Sequence, residues 1–220
     1  MEKKENNLDE FRYIQLLESG RWYIQMMNKY RCAIMEVETK LNVLNSEFSL
    51  QYDRNPFESI KSRLKSPGSI LEKLSRKHLE FNEDSLDRTI EENLYDVAGI
   101  RVVCAFQEDI YTLSDLLLRQ DDIRLIRTKD YIQNPKPNGY RSLHQILEVP
   151  VFLKEGKIPV KVEVQFRTIA MDFWASVDHK LRYKKDVENE KEIIEKLRVC
   201  AETIASLDAE MQRIRSMIEA

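Results

Sequence analysis

Two carboxylates stand where chemistry could use them. Asp96 directly precedes VAGIRVV, the branched apolar run of a buried strand. Glu163 lies inside VKVEVQFR, where Val160, Val162, Val164 and Phe166 take one face of a strand. Lys161, Glu163, Gln165 and Arg167 then share the other face. A line of charge along a central-looking strand is either a solvated face, with Glu163 paired to a lysine, or a site. The stretch KDYIQNPKPNGYRSLH, residues 129–144, gathers bases, a glycine turn, an aromatic and a histidine. Bases and backbone N–H groups suit phosphate oxygens, and Tyr140 offers a flat face to a nucleobase. The plainer alternative is a surface hairpin loop with solvated lysines.

The charge distribution supports an anion. The net charge is −3, which alone predicts no polyanion partner. Yet Lys61 to Lys77 holds Lys61, Arg63, Lys65, Lys73, Arg76 and Lys77 against Glu72 alone. Arg124 to Gln145 holds Arg124, Arg127, Lys129, Lys136, Arg141 and His144 against Asp130. Two concentrated basic segments in a near-neutral chain fit a small, highly charged anion in one cleft. His78, His144 and His179 make no metal-ligand spacing with cysteine, so a protein-only zinc site is not expected. Two acids plus phosphate oxygens suit Mg²⁺ instead.

Composition narrows the class. The chain has 220 residues, long enough to bury a core without staples. Cys32, Cys104 and Cys200 are odd in number and far apart, which excludes a disulfide framework and suits a reducing cytosol. MEKKENNLDEF carries no apolar stretch of a secretory signal, and no apolar run approaches a membrane span. Neither the P-loop nor the G-x-G-x-x-G pattern is present.

Elements must position these residues. Residues 22–48 lack Gly and Pro, and Ile24, Met27, Ile34, Val37, Leu41, Leu44 and Phe48 predict a long amphipathic helix. Residues 188–219 predict another, with Ile193, Leu197, Ala201, Ile204, Leu207, Met211, Ile214 and Ile218 spaced like a helical partner seam. Between them, strands are expected at 59–65, 99–106, 123–128, 144–153 and 158–166, the last two a hairpin around Glu155-Gly156-Lys157. Helices are expected at 108–119 and 168–183, and from the capping box Ser69-Ile-Leu-Glu72 onward. NPKPNG, 134–139, must be a loop. The fold expected is α+β: a single mixed sheet of about five strands with helices packed on it, flanked by long N- and C-terminal helices. The segments expected are 1–50, helical; 51–185, the domain that carries the candidate site residues; and 186–220, a helix whose apolar stripe suits oligomerisation.

SRLKSPGSILEKLSRK (62–77), YDVAGIRVVCAF (95–106), KDYIQNPKPNGYRSLH (129–144) and VEVQFRTIAMDFWASVDHK (162–180) together resemble the small alarmone synthetases, the single-domain members of the RelA/SpoT family, nearest the RelP-like kind. Four ordered motifs cover most of residues 59–183. The resemblance implies a nucleotidyltransferase-like synthetase fold and transfer of pyrophosphate from ATP to the 3′-hydroxyl of GDP or GTP. The products are then AMP and ppGpp or pppGpp, the alarmones of the stringent response. It implies Asp96 and Glu163 as catalytic and metal-binding acids, with Mg²⁺ the cofactor and Glu163 the general base. Arg63, Lys65, Lys73, Arg76 and Arg101 would bind ATP, the two arginines Arg63 and Arg101 stacking on adenine. Lys129, Lys136, Asn138, Tyr140, His144, Gln165 and Arg167 would bind GDP or GTP, Tyr140 stacking on guanine. It further implies a cytoplasmic homo-oligomer, a tetramer, without a membrane partner. Because stacking uses the ring face, Tyr140→Phe is expected to be mild. The alternatives are a related nucleotidyltransferase with another acceptor, against which the absence of a D-x-D strand counts, and a non-catalytic RNA-binding module. The RNA reading leaves Glu163 on a basic face unexplained.

Overall fold

The computed structural model describes residues 21–51, 54–79, 85–182 and 189–219. Helix α1 (Arg21–Gln51) leads into β1 (Phe57–Leu64), α2 (Pro67–Arg76), α3 (Leu86–Asn93) and β2 (Ala98–Cys104). Then come α4 (Gln107–Leu118), β3 (Arg124–Asp130), β4 (Leu143–Leu153), β5 (Gly156–Thr168), α5 (Ile169–Arg182) and α6 (Glu190–Glu219). The strands form one five-stranded sheet in the order β1-β2-β5-β4-β3. β2 and β5 run parallel, and the other three pairings are antiparallel. The mixed α+β architecture read from the sequence is the one observed.

The sheet's apolar face is closed by α1. Without Gly or Pro to break it, this helix runs 31 residues, about 46 Å. Tyr23, Met26, Tyr30, Ala33, Ile34, Val37 and Leu41 are buried in one core with Val162, Val164 and Phe166 of β5. Ile24, counted in the expected stripe, is 60% exposed. The core-facing stripe instead uses Tyr23, Met26, Tyr30 and Ala33, aromatic and small residues that an aliphatic count passes over. Lys40 pins the flank of α1 to Asp122 at 2.6 Å.

Local chemistry sets two boundaries differently from the sequence reading. α2 begins one turn before the expected Ser69: the Ser66 hydroxyl accepts from the Ser69 amide, and Pro67 takes the first helical position, where its missing N–H costs nothing. The β4–β5 turn is two residues, Lys154 and Glu155, because Leu153 already pairs with Gly156. α3 was not expected from the sequence.

α6 crosses the other side of the molecule. Leu197 and Ala201 are buried with Trp174 of α5, and Tyr140 packs against the same cluster. The Trp174 indole N–H donates to the Leu197 carbonyl at 3.1 Å. Further along, Arg215 reaches the buried Asp109 at 3.4 Å, and Arg54 grips the same carboxylate at 2.8 and 2.5 Å. The Phe106 ring lies under both guanidiniums. Apart from these anchors the apolar seam is open: Leu207, Met211, Ile214 and Ile218 are all exposed.

Candidate active site

Strand register assembles the site on the sheet face away from α1. One row runs Lys61, Arg101, Gln165, His144, Lys129 across all five strands. The neighbouring row runs Arg63, Gly99, Glu163, Ile146, Arg127. Residues directly opposite across paired strands share a face, so one carboxylate, Glu163, sits in the middle of a field of bases.

Three adjoining hollows open over this face. Arg63, Lys65, Lys73 and Arg76 line the first, of about 340 Å³. Arg63, Arg101, Tyr140, Gln165 and Arg167 line the second, of about 650 Å³, walled by α5. Lys73, Asp96, Lys129, His144 and Glu163 line the third, of about 310 Å³. Arg63 borders the first two and Lys73 the first and third. Lys136 and Asn138 stand outside, on the loop that carries Tyr140. The Lys136 ammonium lies 4.8 Å from the Tyr140 ring centre and 4.7 Å from that of Tyr131.

Asp96 sits just ahead of β2 with one oxygen committed. Its Oδ2 accepts from Lys65 and pairs with Lys73, each at 2.6 Å. Oδ1 is buried and has no hydrogen-bond partner among the described residues. Burial pushes the carboxyl up, but Lys65 and Lys73 outweigh it and hold it below the ordinary aspartate value. An ionised carboxylate with a spare, water-poor oxygen fits a hard cation. Among the described residues no cluster of three or more His, Cys, Asp or Glu could hold a metal alone.

Glu163 belongs to a closed hydrogen-bonded ring. The His144 Nδ1 lies 3.0 Å from Oε1, and the Gln165 amide donates to Oε2 at 2.7 Å. The Gln165 carbonyl oxygen accepts from Arg167 Nη2 at 2.9 Å, and the same nitrogen donates to the Tyr140 hydroxyl at 2.9 Å. That hydroxyl closes the ring on His144 Nε2 at 2.8 Å. One proton arrangement satisfies every link with a neutral imidazole: Tyr140 donates to Nε2, and the Nδ1 proton points at Glu163. Burial raises the Glu163 carboxyl, the Asp96 charge across the hollow adds to that, and His144 and Gln165 together outweigh both. The net effect holds it below the ordinary glutamate value.

The Tyr140 hydroxyl therefore has two partners, which the expectation of a ring-only role did not contain. Its loop is set by Gly139, whose φ of +86° suits a residue without a side chain. A Cβ there would stand 2.4 Å from the Ala201 Cβ of α6. Sequence reasoning also passed over Tyr95 and Asp172. Tyr95 lines the third hollow with the Lys161 ammonium 4.3 Å from its ring centre. Asp172, in the first turn of α5, pairs with both Arg101 and Arg167. Its only sequence signal was an acid at a helix start just after the basic strand.

A mixed sheet whose central strand offers a carboxylate to a cation-lined, aromatic-flanked cleft defines a domain built to handle phosphate-rich nucleotides. Residues 62–188 match the family model described as the region found in RelA / SpoT proteins, and the chain belongs to the RelA/SpoT family. It is 42% identical over 190 residues to GTP pyrophosphokinase YwaC of Bacillus subtilis (strain 168), covering 86% of this chain and 89% of that protein. The fold matches the crystal structure of small alarmone synthetase 1 from Bacillus subtilis bound to its product pppGpp with a TM-score of 0.83. Identity there is 32%, with 91% of this chain and 100% of that one covered. Small alarmone synthetase 2 from the same organism matches with a TM-score of 0.78 at 40% identity, covering 89% and 98%.

Proposed function

We infer that the protein is a (p)ppGpp synthetase, transferring pyrophosphate from ATP to the 3′-hydroxyl of GDP or GTP. The observation that carries this is Glu163: a half-buried, ionised carboxylate held by His144 and Gln165 at the centre of a cationic cleft, in a chain that covers 89% of YwaC. The test is direct. Incubated with ATP, GDP and Mg²⁺, the protein forms AMP and guanosine tetraphosphate in equal amounts. ADP as the sole adenine product would overturn the reading.

The acceptor's 3′-oxygen attacks the β-phosphorus of ATP, the bond between that phosphorus and the α,β-bridging oxygen breaks, and AMP leaves. Glu163 takes the hydroxyl proton as general base. His144 fixes its orientation through Nδ1. Asp96 would hold Mg²⁺ through the oxygen the lysines leave free, and each Glu163 oxygen keeps a second lone pair with which to share the ion. The bound ion supplies charge neutralisation on the ATP phosphates. Lys65, Lys73 and Arg76 are assigned to those phosphates, and Arg63 and Arg101 to adenine. Tyr140 is assigned to guanine, with Lys129, Lys136, Asn138, His144, Gln165 and Arg167 around the acceptor's ribose and phosphates. Catalysis is then mostly positioning and charge neutralisation.

Two substitutions separate the ring of Tyr140 from its hydroxyl. Tyr140→Ala removes a stacking surface worth about 1–3 kcal/mol, so the acceptor KM rises about 5- to 150-fold. Tyr140→Phe keeps the surface but opens the ring around Glu163, so kcat falls about 2- to 10-fold with the acceptor KM nearly constant. Steady-state kinetics against each nucleotide reads both. Equal loss for ATP and acceptor in the Ala variant would remove Tyr140 from the guanine subsite.

We assign residues 51–185 to chemistry and 186–220 to assembly of a homotetramer. Ile169, Phe173, Val177 and Leu181 make an exposed stripe at every fourth residue of α5, and the open seam of α6 adds a second. Light scattering at micromolar concentration gives a mass near four times the 26.1 kDa chain. A monomer there would overturn the assignment. Among the described residues no helix is long and apolar enough to cross a membrane. We place the protein in the cytoplasm, where its nucleotides are.

A further inference from the structure

We propose that Asp172 is a positioning residue that couples the donor and acceptor subsites through one carboxylate oxygen. Its Oδ1 accepts from Arg167 Nη1 at 2.9 Å and pairs with Arg101 Nη1 at 3.1 Å. The two guanidiniums come from neighbouring strands, β2 and β5, and would repel each other without it. Burial lowers the Arg101 affinity for its proton, the Arg167 charge lowers it further, and Asp172 opposes both. Arg101 and Arg167 each also have a buried Nε with no hydrogen-bond partner among the described residues. Their planes are thus set from the Nη side, where Asp172 sits.

The two arginines share the second hollow but differ in their further contacts. Arg101 faces the hollow it shares with Arg63. Arg167 donates to the Tyr140 hydroxyl and the Gln165 carbonyl oxygen, and so joins the ring that holds Glu163. Asp172 lines none of the hollows assigned to substrate and acts only through the two arginines that do. Its place in the first turn of α5 also favours a carboxylate through the helix N-terminus, but a cap alone would not need both guanidiniums on one oxygen.

The inference rests on Arg101 serving the donor and Tyr140 the acceptor. A nucleotide that draws Arg101 onto adenine changes how Oδ1 is shared, and Arg167 and Tyr140 respond. Such coupling is reciprocal: each nucleotide changes the other's affinity by the same factor. A carboxylate that only stabilises α5 would weaken both affinities and leave that factor alone.

The experiment is calorimetric titration of GDP in Mg²⁺, with and without saturating α,β-methylene-ATP, which cannot break at the transferred bond. In the unmodified protein the GDP affinity changes about 5-fold or more when the analogue is bound. In Asp172→Asn the factor falls to near one, with the melting temperature close to the parent's, and Asp172→Glu restores part of it. A factor of one in the unmodified protein, or an unchanged factor in the Asn variant, overturns the proposal. Should the Asn variant not fold, an unchanged factor in Asp172→Glu, whose longer arm displaces the shared oxygen, does so too. Arg101→Ala and Tyr140→Ala, each titrated with one nucleotide at a time, test the donor–acceptor partition separately: a loss confined to the analogue and to GDP respectively upholds it whatever the factor.

Discussion

Asp96→Asn leaves a folded protein whose synthetase activity falls by about 100-fold or more. The carboxamide has the shape of the carboxylate, so packing ahead of β2 survives. What goes is the negative charge that faces Lys65 and Lys73 on one oxygen and leaves the other, buried, without a hydrogen-bond partner among the described residues. Losing two charge-assisted hydrogen bonds costs about 1–3 kcal/mol of stability, because the lysine ends can turn toward the hollow and its water. The loss of rate is larger because the same charge is needed in the transition state. Turnover measured across a Mg²⁺ series checks this. Near-normal kcat at ordinary Mg²⁺ would show that Asp96 holds no ion.

Glu163→Gln removes the proposed base and breaks the ring around it. Two donors, His144 Nδ1–H and the Gln165 amide, face the two carboxylate oxygens. An amide offers only one acceptor, so one donor is left facing an N–H. Turning Gln165 over would repair that contact and lose its bond from Arg167. We expect kcat to fall about 10²- to 10⁴-fold, with the ATP KM little changed. A kcat within tenfold of the parent would mean that another group takes the proton. The pH profile gives an independent check. Because the Glu163 carboxyl is held below its ordinary value of 4.5, the base form persists through that pH and the acid limb belonging to it lies lower. A limb near pH 6 that survives in Glu163→Gln belongs to another group.

Much of this site was readable before any coordinates. Period-two alternation put Glu163, Gln165 and Arg167 on one face, because Val160 to Phe166 can satisfy only the other. The loop with Lys136, Asn138 and Tyr140 announced itself through Pro135, Pro137 and Gly139. What pattern could not supply was contact between distant segments. Asp172 and Arg101 lie 71 positions apart, and nothing local marks an acid at a helix start as the partner of two arginines. The Tyr140 hydroxyl is similar: its partners come from β4 and β5, so a ring-only role looked sufficient. Short elements were also lost. α3 offers just Leu86 and Ile90 to the core, one turn apart, too few to set a period. The α2 boundary slipped because Ser66 and Ser69 are both plausible caps, and only Pro67 decides between them.

The contact between Gly139 and α6 bears on the order in which the protein is made. The loop carrying Tyr140 leaves the ribosome well before residues 189–219. Until those residues arrive, Ala201 is not behind Gly139, the Trp174 indole lacks the Leu197 carbonyl, and Arg141 lacks the Ala201 carbonyl it meets at 3.4 Å. The sheet can close on α1 during synthesis, since all its strands precede residue 169. The loop that carries Tyr140 gains its backing only afterwards, so a chain still being translated holds an assembled sheet and a loop with nothing yet behind it.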